Sequence, residues 1–179
     1  VLPTLYMRSG FGARGLREDQ RRFASTPEFI HRIAQSVRKT GGDGLVTAGV
    51  ALHSLRAVEE GAVNEFTHEA CGMPIHIHVS EQQLEVDDCI ARHGRTPVEW
   101  LLDKAPVDER WNFVHATQCR EEELDRLRRS GAAMWVAFLK GYWKIGLALM
   151  LGVPLAGVLG WVPGVGAGAF AEVMLATGW

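Results

Sequence analysis

The chain has 179 residues, a formal net charge of −2, 47% hydrophobic residues and 22% charged residues. That length and apolar share suit one domain, or a piece of a larger one, with a sizeable core. The near-neutral balance gives no global attraction to nucleic acid or to an anionic membrane surface, and three cysteines without metal-like spacing (Cys71, Cys89, Cys119) exclude a disulfide framework in favour of reduced thiols in a cytoplasmic protein.

Val1 to Tyr6 lacks a Met start and a basic segment before an apolar run, so no signal peptide is expected. The run reads as a strand feeding a loop that holds Gly10, Gly12 and Gly15. Its spacing matches neither a P-loop nor a dinucleotide fingerprint, so a plain strand-to-helix connection is expected. Arg17, Arg21 and Arg22, like Arg126, Arg128 and Arg129 later, are interleaved with acidic residues and read as solvated helix faces without a partner. Thr26 caps a helix with Pro27 at its first position, Phe29, Ile30, Ile33, Ala34 and Val37 as its apolar stripe, and Gly41-Gly42 as its end. A second apolar strand, Gly44 to Leu52, delivers His53-Ser54-Leu55-Arg56 at its carboxyl end. A short helix from Asn64 to Cys71 follows and stops at Gly72-Met73-Pro74.

The third strand is Pro74-Ile75-His76-Ile77-His78-Val79-Ser80-Glu81-Gln82. Alternation puts His76, His78 and Ser80 on one face and Ile75, Ile77 and Val79 on the other. His78 and Glu81 form a His-x-x-Glu, in which a carboxylate sits beside whatever the imidazole holds; a metal there would place Glu81 to handle the protons of water. Helices then follow over Gln83 to His93, with Leu84, Val86, Cys89 and Ile90 inward, and from Pro97 through Ala105. Trp111 to Thr117 is a fourth strand with His115 near its end, and Glu121 to Arg129 is an amphipathic helix with Leu124 and Leu127 inward, closed by Gly131. Strands alternating with helices imply parallel pairing through helical crossovers, an α/β architecture. In a parallel barrel catalytic groups collect at the carboxyl ends of strands, where His53, Arg56, His78, Glu81 and His115 all fall.

The ordered series His53-Ser54-Leu55-Arg56-Ala57-Val58, His76 to Gln82, Pro97-Val98-Glu99-Trp100-Leu101-Leu102 and Val114-His115-Ala116-Thr117 resembles the formimidoylglutamate deiminases of the amidohydrolase superfamily. The likeness covers roughly residues 1–132, a central part of the barrel. It implies a partial (β/α)8 metal-dependent hydrolase that converts N-formimidoyl-L-glutamate to N-formyl-L-glutamate and ammonia in histidine degradation. By that likeness His78 is a ligand of zinc or another divalent metal, Glu81 the proton shuttle and His115 the group that orients the attacking hydroxide. His53 and Arg56 hold a carboxylate of the glutamate moiety, a role that suits the planar guanidinium fork. His76 shares the face of His78 one pleat deeper and reads as a core or supporting histidine. The implied partner is a small-molecule substrate, with no nucleic acid, no membrane, and a homodimer for the full-length enzyme.

The sequence departs from the superfamily pattern in two places. The first-strand His-x-His is absent, and no aspartate follows Asp125 to close the metal site, so one ligand of the usual four is expected here. Rival readings are an amidohydrolase deaminase of an aromatic base such as guanine or cytosine, and a non-catalytic barrel remnant. Residues 133–179 change character: from Ile145 to Ala171 no residue is charged, and Gly, Val and Leu dominate. A reading-frame error, a loosely packed tail and a membrane span with Trp143, Trp161 and Trp179 as anchors are the three accounts, ranked in that order, with Pro154 and Pro163 weighing against the span.

Overall fold

Five parallel strands, hydrogen-bonded in chain order, form one sheet in the computed structural model, which describes residues 1–12, 15–41 and 44–134. The elements are β1 (Thr4–Leu5), a 3-10 helix (Glu18–Phe23), α1 (Pro27–Thr40), β2 (Val50–Leu52), α2 (Glu60–Glu69), β3 (Ile75–Val79), α3 (Gln83–His93), α4 (Pro97–Lys104), β4 (Trp111–His115), α5 (Glu121–Ser130) and β5 (Ala133–Met134). Each strand-to-strand connection carries at least one helix, as parallel neighbours require.

Register explains which face is core. Leu5, Leu52, Ile77 and Phe113 align across β1 to β4, and all four are buried. They belong to one cluster with Ile30 and Ala34 of α1, Phe66 of α2, Leu101 of α4 and Leu127 of α5. Each of the Leu, Ile and Phe side chains contributes about 1.5–3 kcal/mol by leaving water. Because Cβ atoms alternate, His76, His78, Asn112 and Val114 occupy the opposite face. That division positions the site.

The helix ends follow from local chemistry. Thr26 Oγ1 accepts the Phe29 amide and Pro27 opens α1, while Thr96 and Glu99 form a reciprocal capping box on α4. Gly94 and Gly131 close α3 and α5 with φ of +68° and +83°, left-handed values that glycine adopts without strain.

Several expected boundaries move. Of the Gly44 to Leu52 run only Val50–Leu52 is strand, and Leu45 is 86% exposed. The Gly44 amide bonds the Gly41 carbonyl, and the Val46 carbonyl lies where a Cβ on Gly41 would stand, so the chain folds back on the end of α1 before it can extend. Helix α2 starts at Glu60 rather than Asn64, since Glu60 at the positive helix end offsets the low propensity of Gly61. In α1, Phe29 is exposed and His31 is buried against Phe66 instead. In α3, Leu84 and Ile90 are exposed whereas Glu85 is buried. The 3-10 helix was not anticipated, nor was β5, which begins at Ala133 where the composition changes. Among the described residues no helix is long and apolar enough to cross a membrane. The three accounts of the tail concern residues that, apart from Ala133 and Met134, lie outside those described.

Candidate active site

Parallel pairing brings the carboxyl ends of β2, β3 and β4 to one edge, where three imidazoles meet. The rings of His53 and His78 lie 5.5 Å apart edge to face, and those of His78 and His115 lie 5.3 Å apart, stacked. His78 Nδ1 stands 2.9 Å from the His53 carbonyl oxygen. A carbonyl only accepts, so the proton sits on Nδ1, and Nε2 keeps a lone pair for a Lewis acid. This is the second contact that metal-binding histidines commonly make.

His115 reaches the cluster by an unusual backbone. Strict alternation would send it to the core face with Phe113, but His115 and its neighbour Ala116 have φ of +73° and +49°. Ser80, at the end of β3, also has a positive φ, +49°. Each costs on the order of 1–3 kcal/mol in a residue other than glycine, and such strain gathers where function needs a particular side-chain direction. The result is that His115 Nε2 stands 3.8 Å from Glu81 Oε1.

His53 has its Nδ1 3.2 Å from Ser54 Oγ and packs edge-on against Tyr6 at 4.7 Å. Burial, then the neighbouring His78, pulls its pKa below the ordinary imidazole value, so the ring is neutral at pH 7. A cavity of about 480 Å³ opens here, lined by Tyr6, Arg17, Gln20, Phe23, His53 and His78 among others. Arg56 is half-buried and lines an adjoining cavity of about 460 Å³ that shares Tyr6, Arg17, Gln20 and His53. Among the described residues Arg56 makes no ion pair. Glu60, four residues on and able to neutralise it, instead faces Arg8, Arg92 and His93 at 4.0, 3.9 and 3.5 Å.

The structure therefore gathers His53, His78, Glu81 and His115, and sets Arg56 on the cavity beside them. His76 stays one pleat back, in register with Ala51 and Asn112, and burial and His78 lower its pKa. Among the described residues no group of three or more His, Cys, Asp or Glu side chains is placed to hold a metal. Cys89 is fully buried, and burial pushes its thiol up to about 12.

Three residues escaped the sequence reading. Tyr6 stands at the end of β1 and wedges against His53. Glu85, 1% exposed, accepts the Glu81 amide at 3.1 Å, and burial raises its pKa above the ordinary carboxylate value against the lowering influence of Arg56. Thr117 Oγ1 donates to the Glu81 carbonyl at 2.7 Å. The signal for Glu85 was an acidic residue at the third position of a helix, but it was masked by an assumed apolar stripe.

These titrations set a stability profile. His53, His76 and His93 all have pKa values lowered first by burial, so below the unfolded value of about 6.5 the unfolded chain binds protons the folded one refuses, and stability falls with pH. Glu85, whose pKa is raised above the ordinary glutamate value, acts in the opposite sense: its contribution is lost as pH rises above that value. Metal-free protein should unfold at lower urea at about pH 5.5 than at about pH 7.5, and the slope should steepen in Glu85→Gln. A flat urea midpoint in both proteins would contradict the assignment.

Comparison with known proteins agrees with this architecture. No protein-family profile matches the chain. Formimidoylglutamate deiminase from Pseudomonas aeruginosa is 42% identical over 135 residues, 74% of this chain and 29% of that protein. A crystal structure of an amidohydrolase from Brucella melitensis superposes with a TM-score of 0.68 at 45% identity, covering 73% of this chain and 30% of its own. An adenosine deaminase from Xanthomonas campestris with bound zinc shares the fold, with a TM-score of 0.60 at 24% identity over 75% of this chain and 29% of that one. The chain thus spans under a third of the length of these relatives, and its five strands are part of an amidohydrolase-type barrel.

Proposed function

We propose that this chain, which carries five strands of an amidohydrolase-type barrel, is part of a cytoplasmic enzyme that hydrolyses N-formimidoyl-L-glutamate to N-formyl-L-glutamate and ammonia. One observation carries the reading: a half-buried guanidinium that makes no ion pair among the described residues, Arg56, lines a cavity with His53, beside the edge where His78, His115 and Glu81 meet, and it attracts the buried Glu85 carboxyl only through space. A guanidinium held out of bulk water calls for an anion, and a glutamate moiety supplies carboxylates. Identity with the Pseudomonas deiminase supports the same substrate, and the absence of any disulfide among Cys71, Cys89 and Cys119 is in keeping with the cytoplasm.

His78 fits one ligand of a divalent metal such as zinc through its Nε2, and the remaining ligands would come from outside the described residues. When bound, the metal supplies a Lewis acid that brings the pKa of water to about 7. Glu81 takes the two protons of the attacking water in turn, the first as water adds to the C=N carbon and the second as the C–N bond breaks, and gives both to the departing nitrogen, so that the C=N becomes a C=O and the nitrogen leaves as ammonia. His115, beside the Glu81 carboxylate, orients the nucleophile. His53 and Arg56 hold a substrate carboxylate away from the reacting carbon.

The test is ammonia release by the full-length protein from formimidoylglutamate, adenosine, guanine and cytosine in turn. The expected kcat/KM ratio favours formimidoylglutamate by at least about a hundredfold, since an unmet guanidinium penalises the neutral bases. Preference for a base would transfer the assignment to the aromatic-base deaminases. No turnover with any of them, in protein holding metal, would leave a barrel without this catalysis.

A further inference from the structure

We infer that Glu85 and Thr117 are positioning residues that clamp the main chain of Glu81 and so aim its carboxylate at His115; the kinetic part of this inference rests on the proposed hydrolytic reaction. The peptide groups around Glu81 are held from two sides. Glu85 Oε2 accepts the Glu81 amide at 3.1 Å. From the β4 side, Thr117 Oγ1 donates to the carbonyls of Glu81 and Ser80 at 2.7 and 3.1 Å, and the Gln118 amide donates to the Ser80 carbonyl at 2.9 Å.

The contact made by Glu85 differs from an ordinary helix cap. In α4 and α5 the third-position glutamates, Glu99 and Glu123, reach back to the amide of the capping residue itself, Thr96 and Arg120. Glu85 holds the same position in α3, yet it bypasses the capping residue Gln82 and bonds the amide one residue further out, that of Glu81. Its carboxyl is 1% exposed, and Oε1 has no hydrogen-bond partner. Burying a carboxyl with one oxygen unbonded costs free energy that capping alone would not demand, and the attraction of Arg56 offsets that cost only in part. That cost is intelligible where the turn it holds contains Ser80, at φ +49°.

Thr117 completes the device from the neighbouring strand. It lies two residues after His115, beyond the left-handed pair His115 and Ala116. One hydroxyl thereby ties the loop that carries His115 to the loop that carries Glu81, and the 3.8 Å between His115 Nε2 and Glu81 Oε1 depends on both loops keeping their places. Misplacing a reacting group by about 1 Å costs on the order of a hundredfold in rate.

The experiment uses four variants of the full-length protein. Glu85→Gln and Thr117→Ser keep the acceptor and the donor; Glu85→Ala and Thr117→Val remove them. Hydrogen–deuterium exchange of the peptide covering residues 79–84 reads the clamp without reference to activity, and kcat and KM for formimidoylglutamate read its consequence. The expected result is faster exchange and a kcat lowered about ten- to a hundredfold in Glu85→Ala and Thr117→Val, with KM and metal content unchanged, and near-parent behaviour in the two conservative variants. Unchanged exchange in Glu85→Ala and Thr117→Val would overturn the clamp. Faster exchange with unchanged kcat would reduce both residues to structural supports and equally overturn the inference. A parent protein inert toward formimidoylglutamate would sink the proposed substrate instead, while the exchange comparison would still decide the clamp.

Discussion

In the full-length protein, Glu81→Gln lowers kcat by about a hundred- to ten-thousand-fold while leaving bound metal in place. The amide is nearly isosteric with the carboxylate but cannot accept the proton of the attacking water or deliver it to the leaving nitrogen. The substitution leaves the proposed ligand untouched, because His78 is oriented by the His53 carbonyl and not by Glu81. It also leaves the main-chain bonds from Glu85 and Thr117 intact, since these engage the backbone of residue 81. His78→Ala is the matching control and should lose metal along with turnover. Near-parent turnover in Glu81→Gln, measured with metal content determined on the same sample, would remove the proton-shuttle role.

Arg56→Met raises KM for formimidoylglutamate, with a loss of transition-state stabilisation on the order of 2–5 kcal/mol where the guanidinium and the carboxylate meet away from water. Methionine retains most of the apolar stem, so packing changes little. A purely structural arginine would behave otherwise: removing it would lower the melting temperature and leave KM alone. The geometry weighs against a pair with Glu60, which faces Arg8, Arg92 and His93, and the buried Glu85 is attracted by Arg56 without forming an ion pair with it. Measuring KM and melting temperature on one preparation separates the two roles, and an unchanged KM beside a lowered melting temperature takes Arg56 out of the site.

Much of the fold was legible because it rests on local rules. The end of α3 at His93 follows from Gly94, and the start of α1 at Pro27 follows from Thr26 and the proline itself. The parallel sheet follows from strands separated by helices, and the core face of β3 from strict alternation of Ile75, Ile77 and Val79 with His76 and His78. What failed needed knowledge of a neighbour. The apolar pattern of α3 pointed to Leu84 and Ile90, yet Glu85 turns inward because a strained turn one residue before the cap offers it an amide. Gly44 to Leu52 looked like one strand, but a chain reversal against the end of α1 takes its first half.

The sequence by itself determined which residues stand at strand ends, since hydrophobic periodicity and turn chemistry are carried by adjacent side chains; from these alone His53, Arg56, His78, Glu81 and His115 fall at the same edge of a parallel sheet. It could not determine which way they face. His115 shares the parity of Phe113 and by alternation belongs in the core; only the left-handed backbone at His115 and Ala116 turns its ring onto His78. The tautomer of His78 and the clamp on Glu81 were likewise decided by tertiary structure, because each depends on a hydrogen bond between strands 25 to 37 residues apart in the chain. Local propensity has no reach over such a separation, and a positive φ in a residue other than glycine persists only where distant contacts offset its cost.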